Sequence, residues 1–432
     1  MKRALTTFII CATIGTAAAD PKREVPDYDG RGDPPTTVGD VLIWIPRVVV
    51  APLYLIAEYV VRRPTGLLIE TAERHRWVPR LIDYLNGPIG IVPTALIDLG
   101  LSPTVGFYFF WNDAIASNNQ VRATASFGSG VISAVLLDRY RIPGSRWQLA
   151  LRGAVSRRDE ANFYGIGWNT DFDDTARYED HRLEASTSAA VRFAGRSSLS
   201  FGAGMRKVTL HDTACCGDPS IGEAVAMGLF AEPPGFADGG YSGPFTRARL
   251  VLDSRAQAPG SGVGLTVDAE QGSDPDTDRV WLRTAVALAG SLELGQPRRV
   301  ASLSVEAELA EPLEGDDVPF TELVSLGGSG PLPGFMPGRL IGRSAAAATL
   351  KYEWPVWAYL TGVAQVGAGN VFDEHFDDLE LGRMRASAGF GMRSVGLGDH
   401  RFELLIALGT EPFDEGGGVD SVRLQFGGVI GF

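Results

Sequence analysis

The sequence predicts an all-β transmembrane fold, an antiparallel β-barrel of sixteen strands behind a short amino-terminal helical segment. Three observations carry the prediction. From about Thr104 onward apolar side chains recur at every second position. The alternating runs are about ten residues long, which is what a tilted strand needs to span a bilayer, whereas a soluble sandwich would use about five or six. The breaks between runs alternate short and long, as the two rims of a transmembrane barrel do.

Taken in chain order, Lys2 and Arg3 precede an apolar run from Ala4 to Ile14 and small residues ending in Ala17, Ala18 and Ala19. This is the pattern of a secretory signal peptide over residues 1–19, and the run is too short for a helix crossing a bilayer, which takes about 20 apolar residues. Residues 20–37 are polar and Pro-rich and read as a linker. In residues 38–87 the period changes to that of a helix, with Val41, Ile45, Val48 and Val49, then Leu53, Ile56 and Val60, broken by Pro46, Pro52 and Pro64. Proline ends helices, so two or three short ones are expected, lying at the periplasmic face or in the interface.

Residues 88–432 supply the barrel. Leu183, Ala185, Thr187, Ala189, Val191 and Phe193 alternate with Arg182, Glu184, Ser186, Ser188, Ala190 and Arg192. The same alternation runs through Trp147, Leu149, Leu151 and Val155, through Leu303, Val305, Ala307 and Leu309, and through Phe402, Leu404, Ile406 and Leu408. Short breaks are expected near 139–146, 194–197, 255–261, 294–299, 355–358 and 396–400. Longer ones are expected at 158–181, 211–243, 272–279, 311–344, 370–383 and 410–420. Fifteen strands follow directly; an even count then requires one more, placed within Ile89 to Leu99.

The charge balance, 39 basic against 52 acidic side chains, argues against a nucleic-acid partner, because no cluster of cations is present to neutralise phosphates. The five His are scattered, and no zincin, paired Cys-x-x-Cys or nucleophile-elbow motif occurs. No enzyme activity, cofactor or metal is therefore expected. Asp171, Asp173 and Asp174, and Asp274, Asp276 and Asp278, are oxygen-rich runs that could hold Ca²⁺ but more often mark solvated loops. Beyond the signal segment the Cys are the neighbours Cys215 and Cys216, read as an exposed loop whose thiols are open to oxidation outside the cytoplasm.

Several segments resemble the bacterial surface antigen family, which holds the BamA/TamA-like outer-membrane assembly factors and the two-partner secretion transporters. The resemblance covers roughly residues 100–432. It is strongest in Leu326-Gly327-Gly328-Ser329-Gly330-Pro331-Leu332-Pro333-Gly334-Phe335 with Gly338, Arg339 and Gly342, and in Gly369-Asn370-Val371-Phe372. Asn162 to Gly167 and Leu252 to Arg255 are further segments of this kind. The last residues, with Gln425, Gly427, Ile430 and Phe432 at fixed spacing, are similar to the carboxy-terminal signal of outer-membrane barrels.

The resemblance implies an outer-membrane location in a Gram-negative bacterium. It also implies a loop folded back into the barrel, with Gly327, Gly328, Gly334, Phe335 and Arg339 as its motif. It departs from the family in two ways. Pro333 stands where the family has an Arg, and Gly367 where it has an Asp, so both members of the usual charge pair are missing, leaving Arg339 or Arg343 to anchor the loop. Residues 38–87 are too few and too helical for a periplasmic POTRA domain. The function implied is assistance in inserting or translocating outer-membrane proteins or components, with lipid, nascent outer-membrane proteins and periplasmic proteins as partners; a passive pore or structural barrel is the alternative.

Overall fold

The structure, a computed structural model, describes residues 63–256, 258–328, 330–377, 379–395 and 400–430. The expected signal peptide, the linker, most of the helical segment and Phe432 lie outside the described residues. The chain divides into two units, Met1–Arg74 and His75–Phe432. In the first, helix α1 (Arg63–Arg74) is closed by an Arg74–Glu70 pair at 2.7 Å, one turn apart. In the second, helix α2 (Trp77–Leu85) stops at Asn86 and Gly87, whose N–H groups take up the carbonyls of Ile82 and Tyr84.

The strands follow as β1 (Ile89–Asp98), β2 (Thr104–Asn112), β3 (Asn119–Gly128), β4 (Val131–Arg141), β5 (Trp147–Phe163), β6 (Ala176–Ala194) and β7 (Ser197–His211). After a one-and-a-half-turn helix α3 (Ile221–Ala226) come β8 (Gly240–Asp253), β9 (Gly262–Asp274), β10 (Arg279–Glu293) and β11 (Val300–Glu314). Two short strands, β12 (Val324–Leu326) and β13 (Leu340–Gly342), pair only with each other. The wall resumes with β14 (Ser344–Trp357), β15 (Leu360–Phe372), β16 (Arg385–Ser394), β17 (His400–Pro412) and β18 (Val419–Ile430). Leaving out β12 and β13, each strand is antiparallel to its neighbours in sequence and β1 meets β18, which closes a barrel of sixteen strands. The sixteenth strand is β1, in the irregular segment where the strand count required it.

Closure removes every free edge but one stretch discussed below, and period two then sends alternate side chains out and in. Leu149, Leu151, Leu183, Leu303, Val305 and Ile406 are exposed on the outside. Such an apolar band is stable only against lipid. No described helix is long and apolar enough to cross a membrane.

Two expectations are corrected. The strands are not uniformly about ten residues: β2 has 9 and β6 has 19. The tall side, β5 to β11, extends because its upper inner face has something to cover. Phe163, Tyr178, Val208, Leu210, Tyr241 and Trp281 form a core there around Phe320 of the 315–343 connection. The alternation of connection lengths is also less regular than expected. At the end of the barrel away from α2, here the far end, residues 129–130 and 275–278 are tight turns. The second is closed by its own aspartate, since Asp274 accepts from the Thr277 hydroxyl at 2.6 Å.

Candidate functional site: the inward loop and the barrel seam

The 315–343 connection passes through the barrel and touches two opposite stretches of the inner wall. Its first contact is Glu322, fully buried. Glu322 pairs with Arg206 of β7 at 2.8 Å and with Arg182 of β6 at 3.3 Å. Arg206 also holds Glu270 of β9 at 2.8 Å and Glu184 of β6 at 3.2 Å. An unpaired carboxylate could not stay in such a place, so the surrounding guanidiniums fix where the loop enters. Beside it Phe320 packs edge-on against Phe163 at 5.6 Å and Tyr178 at 5.4 Å.

From there β12 and β13 form a small hairpin, Val324 opposite Gly342 and Leu326 opposite Leu340. Its tip holds the motif glycines. Gly327 and Gly328 have φ of +115° and +71°, and Gly328 N–H closes the tip on the Phe335 carbonyl at 2.8 Å; the left-handed backbone is what requires glycine there. Gly334 lies so close to β17 that a Cβ would sit 2.0 Å from the Leu408 carbonyl oxygen. It donates to the Ser387 hydroxyl of β16 at 2.9 Å and accepts from the Ser421 hydroxyl of β18 at 2.8 Å. Phe335, fully buried, fills the space that Gly409 leaves on β17.

Two charged knots hold this tip. In the first, Arg339 donates to the Thr170 hydroxyl at 2.6 Å and the Thr170 carbonyl at 2.8 Å, faces Asp420 of β18 at 3.5 Å, and lies over the Tyr164 ring at 4.9 Å. Arg385 of β16 shares Asp420 at 3.1 Å and the Thr170 carbonyl at 2.7 Å. Burial pulls the Arg339 guanidinium below its ordinary pKa, and the Asp420 carboxylate acts in the opposite sense. Arg343 pairs with Glu311 at the end of β11, at 3.1 Å.

In the second knot, Arg423 of β18 grips both oxygens of Asp98, the last residue of β1, at 2.8 and 2.5 Å. The same guanidinium donates to the Gly328 carbonyl and, at 3.2 Å, to that of Pro333. Where the family loop carries an Arg, this loop presents carbonyls and the wall supplies the Arg. Sequence reading did not single out Arg423, Asp98, Asp420, Arg385, Glu322 or Arg206. Apart from Glu322, which lies on the loop, their signal was present as charged residues at inward-facing positions of otherwise regular strands, but nothing in the sequence says which of them meet.

Arg423 and Asp98 lie at the seam. Strand β1 pairs with β2 along its length, from Ile89–Trp111 to Leu96–Thr104, but among the described residues with β18 only at Leu96–Gly427, Ile97–Phe426 and Asp98–Gln425. Gly427 is required by closeness, since a Cβ there would lie 2.1 Å from the Ala95 carbonyl oxygen. Gln425 points inward and is buried beside this contact. Ile430 is opposite His400 on the β17 side. Gly367, which stands where the family has an Asp, packs against the Pro331 carbonyl of the loop at 3.2 Å from a would-be Cβ.

The remaining chemical groups do not assemble a second centre. Cys215 and Cys216 are joined as a disulfide. Among the described residues the close groups of metal-type ligands are Glu160 with Cys215 and Cys216, and Asp159 with Glu179 and His181. Neither includes the aspartates of the two acidic runs.

The model of the Omp85 superfamily domain matches residues 117–431. Among solved structures, BamA from Haemophilus ducreyi lacking POTRA domains 1–3 superposes with a TM-score of 0.57 at 14% identity, over 79% of this chain and 70% of that one. CdiB from Escherichia coli superposes with a TM-score of 0.53 at 11% identity, over 79% of this chain and 63% of that one. This chain thus spans less than two thirds of the CdiB chain. None of the curated proteins matches in sequence. At such identities the superpositions show a shared fold, while the family match extends over most of the chain. The chain belongs to the Omp85 superfamily and is an outer-membrane β-barrel.

Proposed function

We propose that this barrel assists the insertion or translocation of outer-membrane proteins or components, and that it works by offering the seam edge of β1 to an extended segment. The observation that carries the reading is the three-pair seam. Unpaired backbone N–H and C=O groups at a sheet edge are a template for an added strand. The tip of the inward loop is tied to that seam through Arg423, so seam and loop form one unit. No covalent chemistry is needed for this work, and none is assigned.

Depletion in the native cell, followed by quantitative proteomics of the outer membrane, tests the reading. Selective loss of other barrels or surface proteins is expected. A second test locks the seam: Ile97→Cys with Phe426→Cys places a disulfide across directly opposed residues, and oxidation should stop the activity that reduction restores. The two-sided anchoring of the loop favours a second reading, a barrel with a fixed plug. An unchanged outer-membrane proteome after depletion would select it.

A further inference from the structure

The seam edge of β1 is occupied. Leu99 N–H donates to the Leu424 carbonyl of β18 at 3.0 Å. In a strand the N–H and C=O of one residue point to one side and those of the next to the other. Counting back by twos, Ile97, Ala95, Pro93, Ile91 and Ile89 direct their backbone groups toward the seam. Pro93 agrees with this count, because a residue without N–H is tolerated in a strand only where no ladder bond is lost. Pro93 therefore offers a carbonyl and no donor, which makes Ile91 the central donor of the stretch below the seam.

Ile91 is not bare. The Tyr84 hydroxyl of α2 accepts from the Ile91 N–H at 2.7 Å and donates to the Ile91 carbonyl at 3.0 Å. One hydroxyl thus does for Ile91 what a paired strand would do. The ring is placed by an edge-on contact with Phe110 at 5.8 Å. Gly90 supplies the room, since a Cβ there would lie 2.7 Å from the Tyr84 ring. Tyr84 is nonetheless 44% exposed, so little burial is lost when it leaves.

We propose that Tyr84 is a displaceable cap on the β1 edge, holding the Ile91 backbone until an extended strand takes its place. This rests on the strand-templating function proposed above and names its regulation. The occupant is a strand of the kind β18 itself presents. Beyond Gly427, β18 continues through Gly428, Val429 and Ile430 with its ladder on β17, while the β1 edge at Ile91 takes its hydrogen bonds from a side chain.

The test uses the full chain in detergent micelles and a fluorescent synthetic peptide of residues 419–430. Tyr84→Phe keeps the ring on Phe110 and removes both hydrogen bonds, so the peptide should bind about thirtyfold tighter, the value of two net hydrogen bonds. The Ile91 amide should exchange faster with solvent in the same variant, and Tyr359→Phe, at the β14–β15 turn, should change neither. Equal or weaker peptide binding by Tyr84→Phe would overturn the cap and leave the templating reading standing. Peptide binding by neither protein, with heat-modifiable mobility showing both barrels folded, would sink the templating reading and the cap with it.

Discussion

Arg423→Met should loosen the seam and the inward loop in one step. The guanidinium makes four hydrogen bonds, two to Asp98 of β1 and two to loop carbonyls. Both side chains of the pair are almost completely buried, at 3% and 5% exposure. Removing one partner of such a pair costs about 3–5 kcal/mol, because the other charge stays behind unpaired. Of the three register pairs at the seam, Ile97 with Phe426 is the one that exchanges backbone bonds, and Leu99 N–H adds its bond to the Leu424 carbonyl, together worth about 3 kcal/mol at about 1 kcal/mol per bond. The ion pair therefore matters to closure as much as the ladder does. Asp98→Asn in the Arg423→Met background should recover part of the loss, since no charge is then stranded. The measurement is a double-mutant cycle on barrel unfolding, followed by the mobility shift between folded and unfolded barrel against temperature or denaturant. A coupling of about 2 kcal/mol or more is expected. Additive single losses would refute the argument that this pair joins the two edge strands.

Other outcomes follow from the same contacts. Gly334→Ala drives a methyl to about the Leu408 carbonyl, 2.0 Å away, so the loop tip should leave its seat, seen as faster proteolysis between residues 327 and 339 in a barrel that still folds. Glu322→Ala removes the loop's carboxylate from Arg206, which keeps Glu270 and Glu184; a loss of about 1.5–3 kcal/mol is expected, with a rise in single-channel conductance as the loop base comes free. Asp420→Asn leaves Arg339 and Arg385 facing each other without their shared carboxylate, and should lower the unfolding temperature more than Asp173→Asn on the exposed rim. Gly427→Ala, with its Cβ 2.1 Å from the Ala95 oxygen, should slow barrel closure during refolding into lipid or detergent.

The barrel was legible because a strand with lipid on one side and a polar lumen on the other has to alternate, and the alternation survives in any register. Leu183 to Phe193 and Leu303 to Leu309 show it directly, and an even number of strands, expected with both ends of the barrel at the periplasmic side, located β1 in an otherwise unremarkable segment. The glycines of the loop entered through the family resemblance, and the structure gives each of them a local reason. Gly327 and Gly328 need left-handed backbone and Gly334 needs contact with a neighbouring main chain, and those needs stay at fixed spacing whatever surrounds them.

The anchors were decided elsewhere. Arg423 and Asp98 are separated by 325 residues, and Arg206 and Glu322 by 116. Period two says that Arg423, Asp98 and Arg206 point inward, but not at what height, which depends on the stagger of all the strands between them, and it says nothing of where Glu322 on the loop arrives. Tyr84 shows the same division on a shorter scale. The helical reading of residues 38–87 puts Tyr84 on a helix seven residues before Ile91; only the packing of α2 against β1 brought the hydroxyl onto that one backbone N–H and C=O. The sequence by itself determined the barrel, because strand alternation depends on local geometry. The tertiary structure alone decided the charged knots, the short seam and its cap, because each is a meeting of groups whose separation is set by barrel stagger and helix docking.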